Sequence, residues 1–216
     1  MSVIRKKEIA RRLNLPITEA ESLVITPLLQ LSSLFRSNAD DDSIDLRLGT
    51  NFLLPRVPPQ PFTYPSKNFA KQSHLRVHVP LGSFLVIPAH QTVLGSTLEF
   101  LKLPSDLSGQ ILTKSSIART FIVIETAPWI HPSYRGCLTL EIANVSNTPL
   151  ILYPGRTIAQ LILLELIGAE KLDRKLSGTY LGPIYPEAPV FNDPEEDLQQ
   201  IGVPPDDIIS PIRPRQ

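Results

Sequence analysis

Proline sets the first limit on what this chain can fold into. It occurs 22 times in 216 residues, about twice the ~5% share of an average protein, and each proline removes a backbone donor and fixes φ. This argues against a helical bundle and for short strands joined by turns. Strand-like apolar runs extend from Leu75 to about Leu166, separated by the turn signals PAHQ, LPSDLSG, NVSNTP and YPGR. Many short strands at such spacing predict a mainly β sandwich, jelly roll or barrel. At 24.0 kDa one domain can bury a core that stands without disulfides or metal.

The texture of the chain divides it in three. Residues 1–42 read as an N-terminal helix and a lead-in segment: Ile4, Ile9 and Leu13 are spaced for a short amphipathic helix, and LVITPLLQLSSLF follows. The basic residues of that helix are expected to form a solvated face; a DNA-binding helix is the alternative. Residues 43–168 read as the β-barrel domain, opening with SIDLRLG, which alternates like a half-buried strand. Prolines from Pro55 to Lys67 predict a loop. Residues 169–216 read as a C-terminal arm and tail, extended or partly disordered, with eight prolines from Pro183 to Pro214.

Lys plus Arg equals Asp plus Glu at 21 each. No bulk field draws the molecule to a nucleic acid or an anionic membrane, so any phosphate binding must be local. The single Cys137 cannot form an intramolecular bridge, and the charged N-terminus has no apolar signal core. Both predict a cytoplasmic protein.

Four segments carry candidate chemistry. In TKSSIAR, Thr113 or Ser115 can cap a short helical turn, whose free amides favour an anion, with Lys114 adding a mobile charge. Ser115 and Arg119 then stand at i and i+4 on one face; the alternative is a capped turn with two solvated cations. In GCLTLEIANV, alternation sets Leu138, Leu140 and Ile142 on one face and Glu141 on the other. That carboxylate is either an exposed surface group or one that looks into a pocket, where desolvation fits it for acid/base work. TAPWIHPSYRG gathers Trp129, Ile130, His131 and Tyr134 in a proline-flanked turn, which either holds a sugar or base or packs on the core. In PGRTIAQLIL, Gln160 lies amid aliphatics and needs a partner if buried. Metal chemistry has little support: His74 and His78 can share a strand face, but no second cysteine or nearby carboxylate joins them, and the H-x-E and P-C-x-x-C signature of zinc deaminases is absent.

Taken in order, SIDLRLG, TKSSIAR, TAPWIHPSYRGCLTLEIAN and PGRTIAQLIL resemble the dCTP deaminase branch of the dUTPase superfamily, over roughly Ile4 to Gly168. APWI and RTIAQ lean toward bifunctional deaminase-diphosphatases and dUTPases. The resemblance implies a distorted jelly-roll β-barrel, a homotrimer with active sites at subunit interfaces, and a pyrimidine deoxynucleoside triphosphate bound with magnesium and no zinc. It implies that Glu141 is the general base and proton shuttle, and that Ser115, Arg119 and the Ala127 carbonyl hold the attacking water and the developing tetrahedral centre. Lys114 and Ser116 correspond to phosphate ligands. Trp129, Ile130, His131, Tyr134, Gln160 and Lys175 complete the implied substrate set.

Three features depart from the family pattern. His131 stands where the family carries an aspartate that meets the sugar hydroxyl and, in dUTPases, orients water; a neutral imidazole is a poorer base for that task. KLSGT keeps Lys175 but loses the usual tyrosine and glutamine, and the proline-rich extension has no counterpart. Hydrolytic deamination of dCTP to dUTP and ammonia is the expected activity. A dUTP diphosphatase or bifunctional enzyme, and a catalytically weakened nucleotide-binding trimer, are the alternatives.

Overall fold

Alternation of large aliphatics with small or polar residues is written into strand after strand, so each can bury one face and leave the other free. The computed structural model describes residues 2–28, 42–56, 74–168 and 182–190. In chain order these form β1 (Ser2–Val3), α1 (Lys6–Leu13), β2 (Val24–Thr26), β3 (Ser43–Pro55), β4 (His74–His78), β5 (Leu85–Ile87), β6 (Thr92–Lys102) and β7 (Leu107–Thr113). There follow α2 (Ser115–Ala118), β8 (Ile122–Ile124), β9 (Trp129–Ile130), β10 (Arg135–Asn144), β11 (Leu150–Leu152) and β12 (Thr157–Glu165). The expected loop beyond residue 56, Lys175 and most of the proline-rich tail lie outside the described residues.

Pairing among these strands is antiparallel throughout. The main sheet runs β8-β10-β6-β3-β12-β7-β9, with β1 added on β12, β2 on β6 and β4 on β3; β5 and β11 form a separate ladder. The sheet curls into a half-barrel of the jelly-roll type, as the strand spacing predicts. Because β3 pairs with both β12 and β6, distant parts of the chain close around one core. Leu46, Leu48, Phe52, Leu101, Leu107, Leu140, Ile142, Leu161 and Leu163 are each at most 1% exposed, and each such side chain contributes about 1.5–3 kcal/mol of burial.

The N-terminal segment is built into this barrel. Val3 of β1 pairs with Leu164 of β12, and Ile25 of β2 with Leu101 of β6. Expected in water, the charges of α1 divide instead. Arg11 stays at the surface with Glu8 and Glu21, and hydrogen bonds from Arg11 and then Arg12 outweigh desolvation to hold the Glu8 carboxyl down to about 2. Arg12 is 2% exposed and donates from Nη1 and Nη2 to the two carboxylate oxygens of Asp106, itself 4% exposed, at 2.9 Å each. Periodicity along a helix cannot reveal a carboxylate 94 residues away.

One glycine decides how the C-terminal residues dock. Gly136 has φ +142, and a Cβ there would lie 2.5 Å from Pro183 Cδ. Close approach lets the Cys137 amide donate to the Pro183 carbonyl at 2.6 Å and the Gly182 amide to that of Arg135 at 2.8 Å.

Removing one member of a buried ion pair strands the other. Asp106→Asn is expected to lower stability by about 3 kcal/mol, read as a fall in the urea midpoint at unchanged m-value.

Candidate active site

β10 places the acidic candidate. Leu140 and Ile142 are fully buried while Glu141, between them, is exposed. Its backbone amide donates to Thr126 Oγ1 at 2.8 Å, and its carbonyl accepts from the Glu125 amide at 2.8 Å. The β8–β10 register, which pairs Ile142 with Ile124, therefore continues to set Glu125 directly opposite Glu141. Opposed residues of an antiparallel pair share a face with Cβ atoms about 4.5–5.5 Å apart. Partial burial, and then the Glu125 charge, push the Glu141 carboxyl above its ordinary value.

The TKSSIAR segment turns at the end of β7. Lys114, with extended φ and ψ, is the N-cap of α2 and makes no side-chain cap. Capping by Thr113 or Ser115 is thus corrected: Ser115 is already the first helical residue, and Thr113 Oγ1 instead accepts from the Ile124 amide at 2.8 Å. That bond ties the start of the turn to β8. The Arg119 amide donates to the Ser115 carbonyl at 3.2 Å, which gives the expected i, i+4 relation. Ser115, Ser116 and Arg119 are all exposed.

Two of the expected substrate groups meet at a residue that the motif reading passed over. Lys114 Nζ is paired with Asp45 Oδ2, and Gln160 Nε2 donates to Asp45 Oδ1 at 3.4 Å. Asp45 lies in SIDLRLG, on the side of β3 that pairs with β12 at Gln160. Period-2 alternation puts it on the polar face; its partners follow from the β3–β12–β7 register.

The remaining candidates divide between surface and core. Trp129 is 39% exposed in β9, opposite Gln110 of β7, and Ala127 and His131 are exposed beside it. Ile130 turns inward at 4% exposed, and the half-buried Tyr134 packs against the core and donates its hydroxyl to the Cys137 carbonyl at 2.8 Å. Their side chains thus pack on the core, as one of the two sequence alternatives had it. Burial pushes the Tyr134 hydroxyl up, and burial with the Glu99 charge does the same to the Cys137 thiol, keeping both protonated.

Among the described residues, no hydrogen bond or ion pair joins Glu141 to Ser115 or Arg119. They stand exposed on adjoining elements, since α2 packs beside β8 and β8 pairs with β10. No group of three His, Cys, Asp or Glu among the described residues could hold a metal ion, and no helix among them is long and apolar enough to cross a membrane.

An antiparallel half-barrel with this strand order has the dUTPase/dCTP deaminase fold. The crystal structure of 2'-deoxycytidine 5'-triphosphate deaminase from Agrobacterium tumefaciens matches it with a TM-score of 0.54 at 21% identity, over 74% of this chain and about half, 47%, of that one. A family model described as dCTP deaminase-like matches residues 5–166, and the chain belongs to that family. It is 37% identical over 153 residues to a protein of Nanoarchaeum equitans named "dCTP deaminase, dUMP-forming", covering 64% of this chain and 77% of the relative. A protein of the same name from Coprothermobacter proteolyticus is 34% identical over 167 residues, 77% of this chain and 86% of the relative.

Raised proton affinity at Glu141 has a consequence for stability. The folded chain holds this proton to higher pH than the unfolded chain, so the contribution of Glu141 to stability is fully present below the ordinary carboxylate range and is lost as pH rises through the raised value. Glu141→Gln escapes that decline: its melting temperature is expected to match the parent near pH 4 and exceed it at pH 8, measured by calorimetry.

Proposed function

We propose that the chain deaminates dCTP hydrolytically, and that Glu141 is the base. The carrying observation is this carboxyl's position: held on the open face of β10, opposite Glu125 at the end of β8, the strand against which α2 and its C-cap Arg119 pack, with its proton affinity raised by partial burial and then by Glu125. Such a group takes a proton from water as the oxygen bonds to C4 of cytosine and delivers it to N3, then carries the proton of the new C4 hydroxyl to the departing amine. The C4–N bond breaks, ammonia leaves, and the carboxylate is restored. Ser115, Arg119 and the Ala127 carbonyl would hold the water and the charge that develops at C4.

Lys114 and Ser116, at the start of α2, suit the triphosphate. Magnesium binds with few carboxylates and several phosphate oxygens, and Asp45, already beside Lys114 and Gln160, is the carboxylate here that fits such an ion; the ion would neutralise phosphate charge. Trp129 offers an exposed aromatic face and His131 a hydrogen bond to the sugar. Lys175 is proposed as a further phosphate ligand on the family pattern alone.

A homotrimer with interface sites follows in this reading. Exposure of Glu141, Ser115 and Arg119 in one chain, with Phe121 60% and Trp129 39% exposed nearby in sequence, supports a second copy covering the site. A cytoplasmic location is proposed from the buried free thiol of Cys137. Formation of dUMP is a second reading, favoured by the names of the two relatives and weakened by His131 in place of the family aspartate.

Product analysis tests these together. With dCTP and magnesium the chain is expected to release ammonia, and Glu141→Gln to fall at least ~10²-fold in kcat while still binding nucleotide. Diphosphate and dUMP in the products would establish the second reading. Binding of dCTP without turnover, or an unimpaired Glu141→Gln, would overturn the assignment.

A further inference from the structure

Two carboxylates facing each other across a ladder normally cost stability, because like charges directly opposite repel. The β8–β10 pair keeps such an arrangement beside the proposed base. Glu125 is the first residue after β8, and its amide donates to the Glu141 carbonyl at 2.8 Å, so the two side chains leave the sheet on the same face. Both are exposed, so the conflict is softened by water but not removed.

We propose that Glu125 is a positioning residue for the reaction at Glu141, its charge setting when the neighbouring carboxyl holds and gives up the transferred proton. This rests on the reading of Glu141 as base. A shuttle must accept a proton from water and surrender it to the amine in one turnover, which works best when its affinity for the proton lies near the working pH. A lone carboxylate at the surface is too acidic to retain the proton. An opposed carboxylate makes the neighbour's proton harder to lose without adding a donor that competes for the water.

The surroundings single out this pair. On the β6 side Glu141 is opposite Leu94, and its same-face neighbours along β10 are Thr139 and Ala143. Val123 precedes Glu125 on its own face of β8, and Thr126 uses its hydroxyl on the Glu141 amide. Arg119, the C-cap of α2, belongs to the element packed against β8 and makes no hydrogen bond or ion pair with Glu141. The C-terminal residues bring a further carboxylate to this face, Glu187, whose amide donates to Thr139 Oγ1 at 3.1 Å; the charge that bears on Glu141, after partial burial, is that of Glu125.

The sign of the effect is fixed. Without the Glu125 charge, Glu141 loses its proton at lower pH. In the full-length Glu125→Gln protein the acidic limb of kcat/KM for dCTP deamination should move down by about half a pH unit to one unit, the scale of a like-charge contact near the surface. The rate on the plateau should fall as the shuttle becomes a weaker base. Glu125→Asp, which keeps the charge, should return the limb toward the parent.

Carboxyl ¹³C NMR supplies a readout independent of turnover, with the Glu141 resonance identified by its loss in Glu141→Gln. The proposal stands if both the resonance midpoint and the rate limb move down in Glu125→Gln and recover in Glu125→Asp. If neither moves while Glu141→Gln is inactive, Glu141 remains the base and the role of Glu125 is overturned. A resonance that moves without the limb, or a parent that does not deaminate dCTP, overturns the proposal together with the catalytic reading on which it rests.

Discussion

The site depends on a strand that is buried on one face only. In β10 the aliphatics Leu138, Leu140 and Ile142 enter the core while Glu141 faces out, and β6 and β8 hold the strand from either side. A slip of one residue would drive the carboxylate inward and the aliphatics into water. Several kcal/mol of apolar burial thereby fix the direction of one acidic side chain, which is more rigid support than a loop could give.

That rigidity brings an electrostatic cost. Glu141 is partly withdrawn from water and set opposite Glu125, so the fold carries a strained charge on the face proposed to bind substrate. A structural surface position would more naturally carry a neutral or basic partner there. Elsewhere buried charges are paired, as in the Arg12–Asp106 fork and in Arg47, whose Nε donates to Glu99 at 2.6 Å, although Glu187 keeps one buried carboxylate oxygen without a partner. Contrast between satisfied ion pairs in the scaffold and a like-charge pair at the site fits a position selected for chemistry rather than stability.

Most of the architecture was legible because it rests on local signals. Proline spacing, turn motifs and period-2 alternation foretold a mainly β barrel, and the faces of Glu141 and of its aliphatic neighbours followed from the same rule. Partners separated by long stretches of chain were not legible. Asp45 meets Lys114 and Gln160 because β3, β12 and β7 lie side by side. Glu125 gains meaning from its register with β10, and Arg12 is buried against a carboxylate that no helical pattern could have located. Thr113, expected as a cap, serves the Ile124 amide because β8 folds back to within its reach.

By itself the sequence determined the class of fold, the order of the four motifs and the family they resemble, since alternation and motif spacing are properties of neighbouring residues. Tertiary structure decided which candidates face solvent and which support the core: Ile130 and Tyr134 turn inward, whereas Trp129, Ser115, Arg119 and Glu141 remain outside. It also decided which charges oppose one another. Strand register sets those pairings, and register is chosen by burial of the whole sheet rather than by any one segment.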